Sequence, residues 1–340
     1  MKALVYEGPR QLHMRELPMP ELVPEAVLLR VAFSGICGSE LSGYLGHNSL
    51  RKPPLVMGHE FSGEIARLGD AALEHNPSLR TGQRVTANPL IYCGRCRACL
   101  GGRQNLCAQR QLLGAHRPGS YAEFVAVPAR MVYPLPDNLS LEHAALTEPL
   151  ACTLRAAQLG RYNPADHVLV VGLGPIGLLS LQVLQAYGVR HILASDLDPD
   201  RRAMAQSLGV EALDPHATDV LRAVREQTDG LGADVVIDAV GVASTRRQSV
   251  DAVASGGRVV LIGLHEEESA IPVNVLIRRE IQLLGSFSYT PNNVAEALAW
   301  LTAGRITIDP WLVKAPLHEG PAWFERLISG PGAVAKVLLS

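Results

Sequence analysis

"VLVVGLGPIGLL", residues 168–179, decides the fold. An apolar run, His167–Val171, leads straight into Gly172, Gly174 and Gly177 in the spacing G-x-G-x-x-G. The segment that follows, Pro175–Tyr187, places Ile176, Leu179, Val183 and Tyr187 on one helical face, with Pro near its start and Gly188 past its end. Such a glycine pattern is weak alone and informative between a strand and a helix. There Gly172 permits the tight turn, Gly174 lets backbone approach a pyrophosphate, and Gly177 lets the helix pack on the strand. The helix start, with Pro175 first and Ile176 next, offers partial positive charge and, from Ile176 onward, unpaired N–H groups to phosphates. Asp196 ends the next apolar run, 19 residues after Gly177. A carboxylate there accepts from both ribose hydroxyls and repels a 2′-phosphate, which favours NAD over NADP. Arg201 and Arg202 lie close by and temper that preference, and Arg201 is counted with the cofactor-binding residues.

Working outward, strand-like runs recur at 191–195, 234–238, 258–263 and 281–285, with helical stretches at 201–208 and 245–254. That alternation predicts a doubly wound parallel sheet of α/β class. Residues 1 to about 150 differ in texture: rich in Gly and Pro, with short β-type runs at 2–6, 26–33, 63–68, 83–87 and 122–127. They predict a β-rich barrel or sandwich. After residue 290 a helix (293–301) and a β-like tail (335–339) remain, and the tail is expected to return to the first domain. The expected division is therefore 1–155 completed by 291–340, and 156–290.

A chain of 340 residues is too long for one ordinary core, which agrees with two domains. A net charge of -2 gives no broad attraction to nucleic acid or anionic lipid. Residues 1–12 do not read as a signal peptide, and no apolar run approaches the ~18 residues of a membrane span. A cytoplasmic location is the default expectation, and thiols there stay reduced.

That matters for "YCGRCRACLGGRQNLC", residues 92–107, which holds Cys93, Cys96, Cys99 and Cys107, four of the six cysteines. A tight chain reversal can aim several sulfurs at one point, as tetrahedral zinc requires. Four thiolates on Zn²⁺ leave a charge of about -2, which Arg95, Arg97 and Arg103 offset. A closed four-sulfur site has no open position, so it predicts stability and no chemistry. A second constellation is scattered: Cys37 in "SGICGSELSGY", His59 and Glu60 in "VMGHEFSGEI", and Glu148 and Cys152 in "LTEPLACTL". Cys37 sits between glycines and His59 follows one, where backbone can bend to present a side chain. On spacing alone, whether these residues form another metal site stays open.

With "GICGSE", "MGHEFSGEI", "CGRCRACLGGRQNLC", "SYAEFVAVP", "TEPLA" and "VLVVGLGPIGLL" in this order, the chain resembles the zinc-dependent medium-chain dehydrogenases over nearly its whole length, in the polyol and threonine dehydrogenase branch. The resemblance implies a GroES-like catalytic domain and a Rossmann NAD-binding domain, with substrate in the cleft between them. It implies two zinc ions per chain: the closed cysteine site, and a catalytic ion held by Cys37, His59 and Glu148, with Glu60 able to join or leave. Cys152 is a rival to Glu148, four residues past the matching register. The implied reaction is reversible oxidation of a secondary alcohol, with hydride passing to NAD and Ser39 carrying the hydroxyl proton. Departures from the family are Glu40 for the usual Asp, Ser42 for a His that often ends the proton relay, and Arg155 for a common His. His47 is the candidate substitute in that relay. Tyr44, His47, Asn48, Arg51 and Lys52 suit a polyhydroxylated small molecule, a polyol or sugar alcohol. Arg51 and Lys52 could meet a phosphate, although a solvated basic turn is the plainer reading. Alternatives are a threonine or aminocyclitol dehydrogenase, and a non-catalytic NAD-binding protein on the same fold. Family habit adds a homodimer or homotetramer.

Overall fold

The computed structural model describes all 340 residues, and its contacts divide the chain into two compact units, Met1–Ala151 with Tyr289–Ser340, and Cys152–Ser288. In the first unit strands dominate. The main sheet runs in the order Val132–Pro134, Arg84–Ala87, Glu60–Leu68, Ala26–Gly35, Lys336–Leu339, Leu312–Ala315. The strand Ala26–Gly35 is its hub. One edge takes Glu60–Leu68. Along the other edge, Ala26–Arg30 pair with Phe124–Pro128, and Ser34 and Gly35 pair with Leu338 and Leu339. The tail thus returns to the first unit and becomes an interior strand. A smaller sheet orders Gln11–Glu16, Lys2–Gly8 and Leu55–Val56. One apolar core gathers Leu4, Tyr6, Met57, Tyr121, Phe324, Val337 and Leu339; a second gathers Leu29, Phe61, Ile65, Val85, Val125 and Met131. The strand expected from residue 122 begins at Phe124, and Ala122 makes only an isolated bridge to Ala3.

The second unit carries a six-stranded parallel sheet, ordered Glu211–Leu213, His191–Ser195, His167–Val171, Ala233–Asp238, Val253–Leu261, Gln282–Gly285. The chain moves outward from His167–Val171 and then restarts on its other side, so the order reverses beside the strand that ends at Val171. The strands are apolar along most of their length because both faces are covered: Leu169, Val170, Val235, Val236, Val259 and Val260 are buried.

Three details depart from the sequence reading. Glu211–Leu213 is a strand that periodicity does not show; Glu-Ala-Leu has no β-branched residue, and it is held by pairing with Leu193–Ser195. The helix Pro175–Ala186 has no single apolar face: residues 177–184 are all buried, while Ile176 and Tyr187 are half-buried. A helix apolar all round belongs inside the molecule. The helix expected to reach Ala254 stops at Ala252, because Val253 already opens the next strand.

The glycines of the turn are required by contact. A Cβ on Gly177 would overlap the Gly172 carbonyl, and Gly172 itself has φ +90° with Val240 against it. Gly177→Ala is therefore expected to destabilise the protein by roughly 1–3 kcal/mol. Gly285→Ala, with nothing within 4 Å of its Cβ position, is expected to stay within about 0.5 kcal/mol. Urea unfolding of the two variants checks both values.

Candidate active site

Three separated stretches meet in the first unit. Cys37 follows the hub strand and forms the N-cap of the helix Gly38–Tyr44. His59 immediately precedes the strand Glu60–Leu68, and Glu60 opens it, in register with Gly35. Gly58 takes φ +98°, and a Cβ there would strike Ser120 and Tyr121, so only glycine lets the chain present His59 at this point. Cys37, His59 and Glu60 each offer a ligand atom within 4.8 Å of the others.

A carboxylate that the sequence marks only as a departure binds this corner together. Glu40 is fully buried and lies at the third helical position of Gly38–Tyr44. Its Oε2 accepts from the Cys37 amide at 3.0 Å and from the Tyr121 hydroxyl. Its Oε1 accepts from the Gly58 amide at 2.7 Å and meets His59 Nδ1 at 2.9 Å. Four donors fill the carboxylate. Burial pushes its pKa up, but His59 and these bonds outweigh that and hold it at about 2. An ionised acceptor on Nδ1 makes that nitrogen the donor; burial pushes the His59 pKa down, but Glu40 and Cys37 outweigh it and hold the ring well above the usual histidine value. Tyr121 is held in turn by edge-on packing against Phe324, ring centres 6.1 Å apart.

Glu60 is also claimed from elsewhere. Buried Lys336, first residue of the returning strand, donates from Nζ to both its oxygens, at 2.8 and 2.6 Å, and to the Ile36 carbonyl at 3.1 Å. Nothing near Glu60 in the sequence announces this partner, 276 residues away. Glu148, in the first turn of the helix Thr147–Gly160, lies outside the 4.8 Å group. It is close enough for His59, Glu60 and Lys336 to act on its charge: burial and then Glu60 push its carboxyl up, His59, Tyr289 and Lys336 oppose them, and it settles at about 7. Of the four expected donors, the structure gathers three and sets Glu148 beside them. Cys152, one turn further along the helix, is not among them.

Ser39 Oγ donates to Cys37 Sγ at 3.3 Å and accepts from Arg51 Nη2 at 3.0 Å. The reading of Arg51 as part of a solvated turn is corrected: it is 4% exposed, packed across Gly43, whereas Lys52 beside it is exposed. His47 does not join the cluster; it is exposed past the end of Gly38–Tyr44, and its ring makes no hydrogen bond or ion pair. Ser42 is half-buried on that helix.

Cys93, Cys96, Cys99 and Cys107 converge within 4.8 Å, with sulfurs of Cys93 and Cys99 3.9 Å apart and those of Cys96 and Cys99 3.5 Å apart. Tetrahedral zinc with Zn–S near 2.3 Å sets sulfurs about 3.8 Å apart, so the donor set fits that ion. Arg95, Arg97 and Arg103 are exposed around it.

In the second unit the turn after His167–Val171 is tied to the end of the next strand: Asp196 Oδ2 accepts from the Leu173 amide at 2.6 Å and Oδ1 from the Asp198 amide at 2.8 Å. Gly174 caps the helix Pro175–Ala186 with no side-chain bond, so the first-turn amides are left for a ligand. The nearest atom to a Cβ on Gly174 would be Arg201 Nη1, at 4.0 Å. Arg201 stands 4.0 Å from Asp196, while Arg202 is occupied by Asp214 at 3.0 Å and by the carbonyls of Asp196 and Leu197. No helix is long and apolar enough to cross a membrane.

The chain is similar to known proteins over nearly its whole length. Residues 23–137 match the alcohol dehydrogenase GroES-like domain, and residues 175–303 match the zinc-binding dehydrogenase model. The chain is 34% identical to D-arabitol-phosphate dehydrogenase of Enterococcus avium over 338 residues, 97% of this chain and 95% of the relative. It is 35% identical to sorbitol dehydrogenase of Halalkalibacterium halodurans over 312 residues, 90% of each. A Sinorhizobium meliloti structure assigned as a zinc-binding dehydrogenase and bound to NADP superposes with a TM-score of 0.90 at 34% identity, covering 99% of this chain and 98% of that one.

The buried pair gives a stability test. Lys336→Met leaves the Glu60 carboxylate buried without its cation and is expected to cost about 3–5 kcal/mol. Adding Glu60→Gln is expected to restore more than half of that, and urea midpoints of the single and double variants measure both.

Proposed function

The chain belongs to the zinc-type medium-chain dehydrogenases, and from that premise we propose that it reversibly oxidises a secondary alcohol of a polyol, sugar alcohol or sugar-alcohol phosphate to a ketone, with NAD as the hydride acceptor and two zinc ions per chain. The observation that carries this reading is the meeting of Cys37, His59 and Glu60 around a buried network that ties Nδ1 of His59 to Glu40. The polyol relatives support the substrate class. Asp196, fixed at the end of its strand and facing the glycine turn, supports NAD over NADP.

Zinc in the first-unit cluster supplies Lewis-acid polarisation of the substrate hydroxyl. The chain's own residues do the rest. Cys37 as thiolate, His59 as neutral imidazole and one carboxylate balance a divalent charge. Lys336 already compensates Glu60, so Glu148 is the carboxylate left for that balance, and Glu60 in the donor set adds a ligand atom whose charge Lys336 offsets. Glu40 holds His59 in one tautomer and fixes the Cys37 backbone. Ser39 Oγ is the group between which and the reacting oxygen the proton moves. Cys93, Cys96, Cys99 and Cys107 would hold a second ion that would contribute stability. In the second unit, the bare amides at Gly174 receive the pyrophosphate and Asp196 receives the ribose hydroxyls.

Metal analysis and a substrate panel test the reading. Two zinc ions per chain are expected in the native protein, with NADH formed from one or more polyols or polyol phosphates and less product with NADP. His59→Ala is expected to retain one zinc, lose activity at least a hundredfold and unfold below the native temperature, because Glu40 then lacks one of its four donors. Cys107→Ser is expected also to retain one zinc but to unfold well below it. One zinc in the native protein with no turnover on the panel would overturn the assignment.

A further inference from the structure

Arg51 is the one cation in this corner whose presence neither the fold nor the donor set explains. Lys336 compensates Glu60 directly. Arg51 has no carboxylate bonded to it: the nearest acidic neighbour, Glu40, feels its charge but spends its oxygens on four other donors. Of the five guanidinium N–H bonds, the structure uses one, from Nη2 to Ser39 Oγ. Nε is buried and has no acceptor. Burying a guanidinium so sparsely bonded is costly, and a methionine would fill the same channel without that cost. The channel is nonetheless shaped for this side chain. Gly43 faces its Cδ, and any Cβ there would overlap it. The charge must therefore be used, and the atom it touches is the Ser39 hydroxyl.

A hydroxyl rotor is normally free to point its proton at whichever neighbour suits it. Arg51 removes that freedom, because guanidinium donates and never accepts. The Arg51–Ser39 bond can have only one direction. One lone pair of Oγ is filled from the Arg51 side, and the Oγ–H turns away from it, toward Cys37 Sγ at 3.3 Å. We propose that Arg51 is a positioning residue that holds the Ser39 proton on the side of the Cys37–His59–Glu60 cluster, ready to pass to the oxygen of a ketone in the reduction direction while water returns a proton to Ser39; in oxidation the same path runs backwards, Ser39 taking the alcohol proton as its own passes to water. This inference rests on the dehydrogenase reading of the site. It also fixes where the proton does not go: Arg51 cannot accept it, so the proton that Ser39 regains comes by another route.

Two arms test the proposal, one without turnover. In protein labelled with ¹⁵N-arginine, the Arg51 side-chain N–H signals are expected to be slow to rotate and exchange, and to speed up roughly tenfold in Ser39→Ala. Unchanged signals in Ser39→Ala would overturn the proposal whether or not the enzyme turns over. In the holoenzyme, Arg51→Met is expected to lower kcat for ketone reduction by about ten- to a hundredfold with KM within threefold. Arg51→Lys, which restores a single donor, is expected to recover most of that loss. Ser39→Ala and the Ser39→Ala/Arg51→Met double variant are expected to be equally slow, since Arg51 acts only through Ser39. Multiplicative losses in the double variant, or a rise in KM matching the fall in kcat, would mark Arg51 as a structural or substrate-binding residue and overturn the proposal. If the native protein turns over no polyol at all, the dehydrogenase reading fails, and the NMR arm still decides whether Arg51 orients Ser39.

Discussion

The candidate site depends on one buried carboxylate. Glu40 gathers a backbone amide from the Cys37 turn, another from Gly58, the His59 ring and the Tyr121 hydroxyl. These four groups come from three segments of the chain that share no local secondary structure. A fully ionised acceptor in the interior is tolerable only if every lone pair is met, and here each is. The same requirement fixes geometry, since moving any of the three segments leaves a charge unmet. The ligand atoms of Cys37 and His59 are thus positioned by a group that need not touch any metal. The family's usual aspartate is one methylene shorter. Glutamate at the third position of a helix reaches back to the N-cap amide and still has an oxygen for a distant partner, and both happen here.

Around this core the charges are arranged in layers. Glu60 is paired with Lys336, Arg51 lies over Ser39, and Glu148 waits beside the cluster with its carboxyl raised. Each cation has a different use. Lys336 offsets a charge and ties the returning strand to the hub strand. Arg51 addresses a neutral hydroxyl.

Much of this was legible in the sequence where the physics is local. The glycine turn announces itself because Gly172 and Gly177 answer to contacts within a few residues, and the four cysteines lie in one short loop. Cys37, His59 and Glu60 stand out by motif. What the sequence hides is long-range. Lys336 reads as an ordinary lysine in a β-like tail until the strand is inserted. Arg51 reads as part of a solvated turn until Gly43 is seen to accommodate it. Glu211–Leu213 is a strand only because its neighbour offers an edge. Glu40 is the intermediate case: a glutamate three residues after Cys37 is a recognisable capping pattern, but its bonds to Gly58, His59 and Tyr121 have no sequence signature.

The returning strand has a consequence for how the molecule is made. Lys336 follows the entire second unit in the chain, so on the ribosome that unit emerges complete while the first still lacks an interior strand. Until residues 336–339 are free, Glu60 has no counter-ion and part of the hub strand's edge is open. The nascent chain therefore passes through a stage in which the second unit can be native and the first cannot, and a strand translated after the second unit is the one that completes the first.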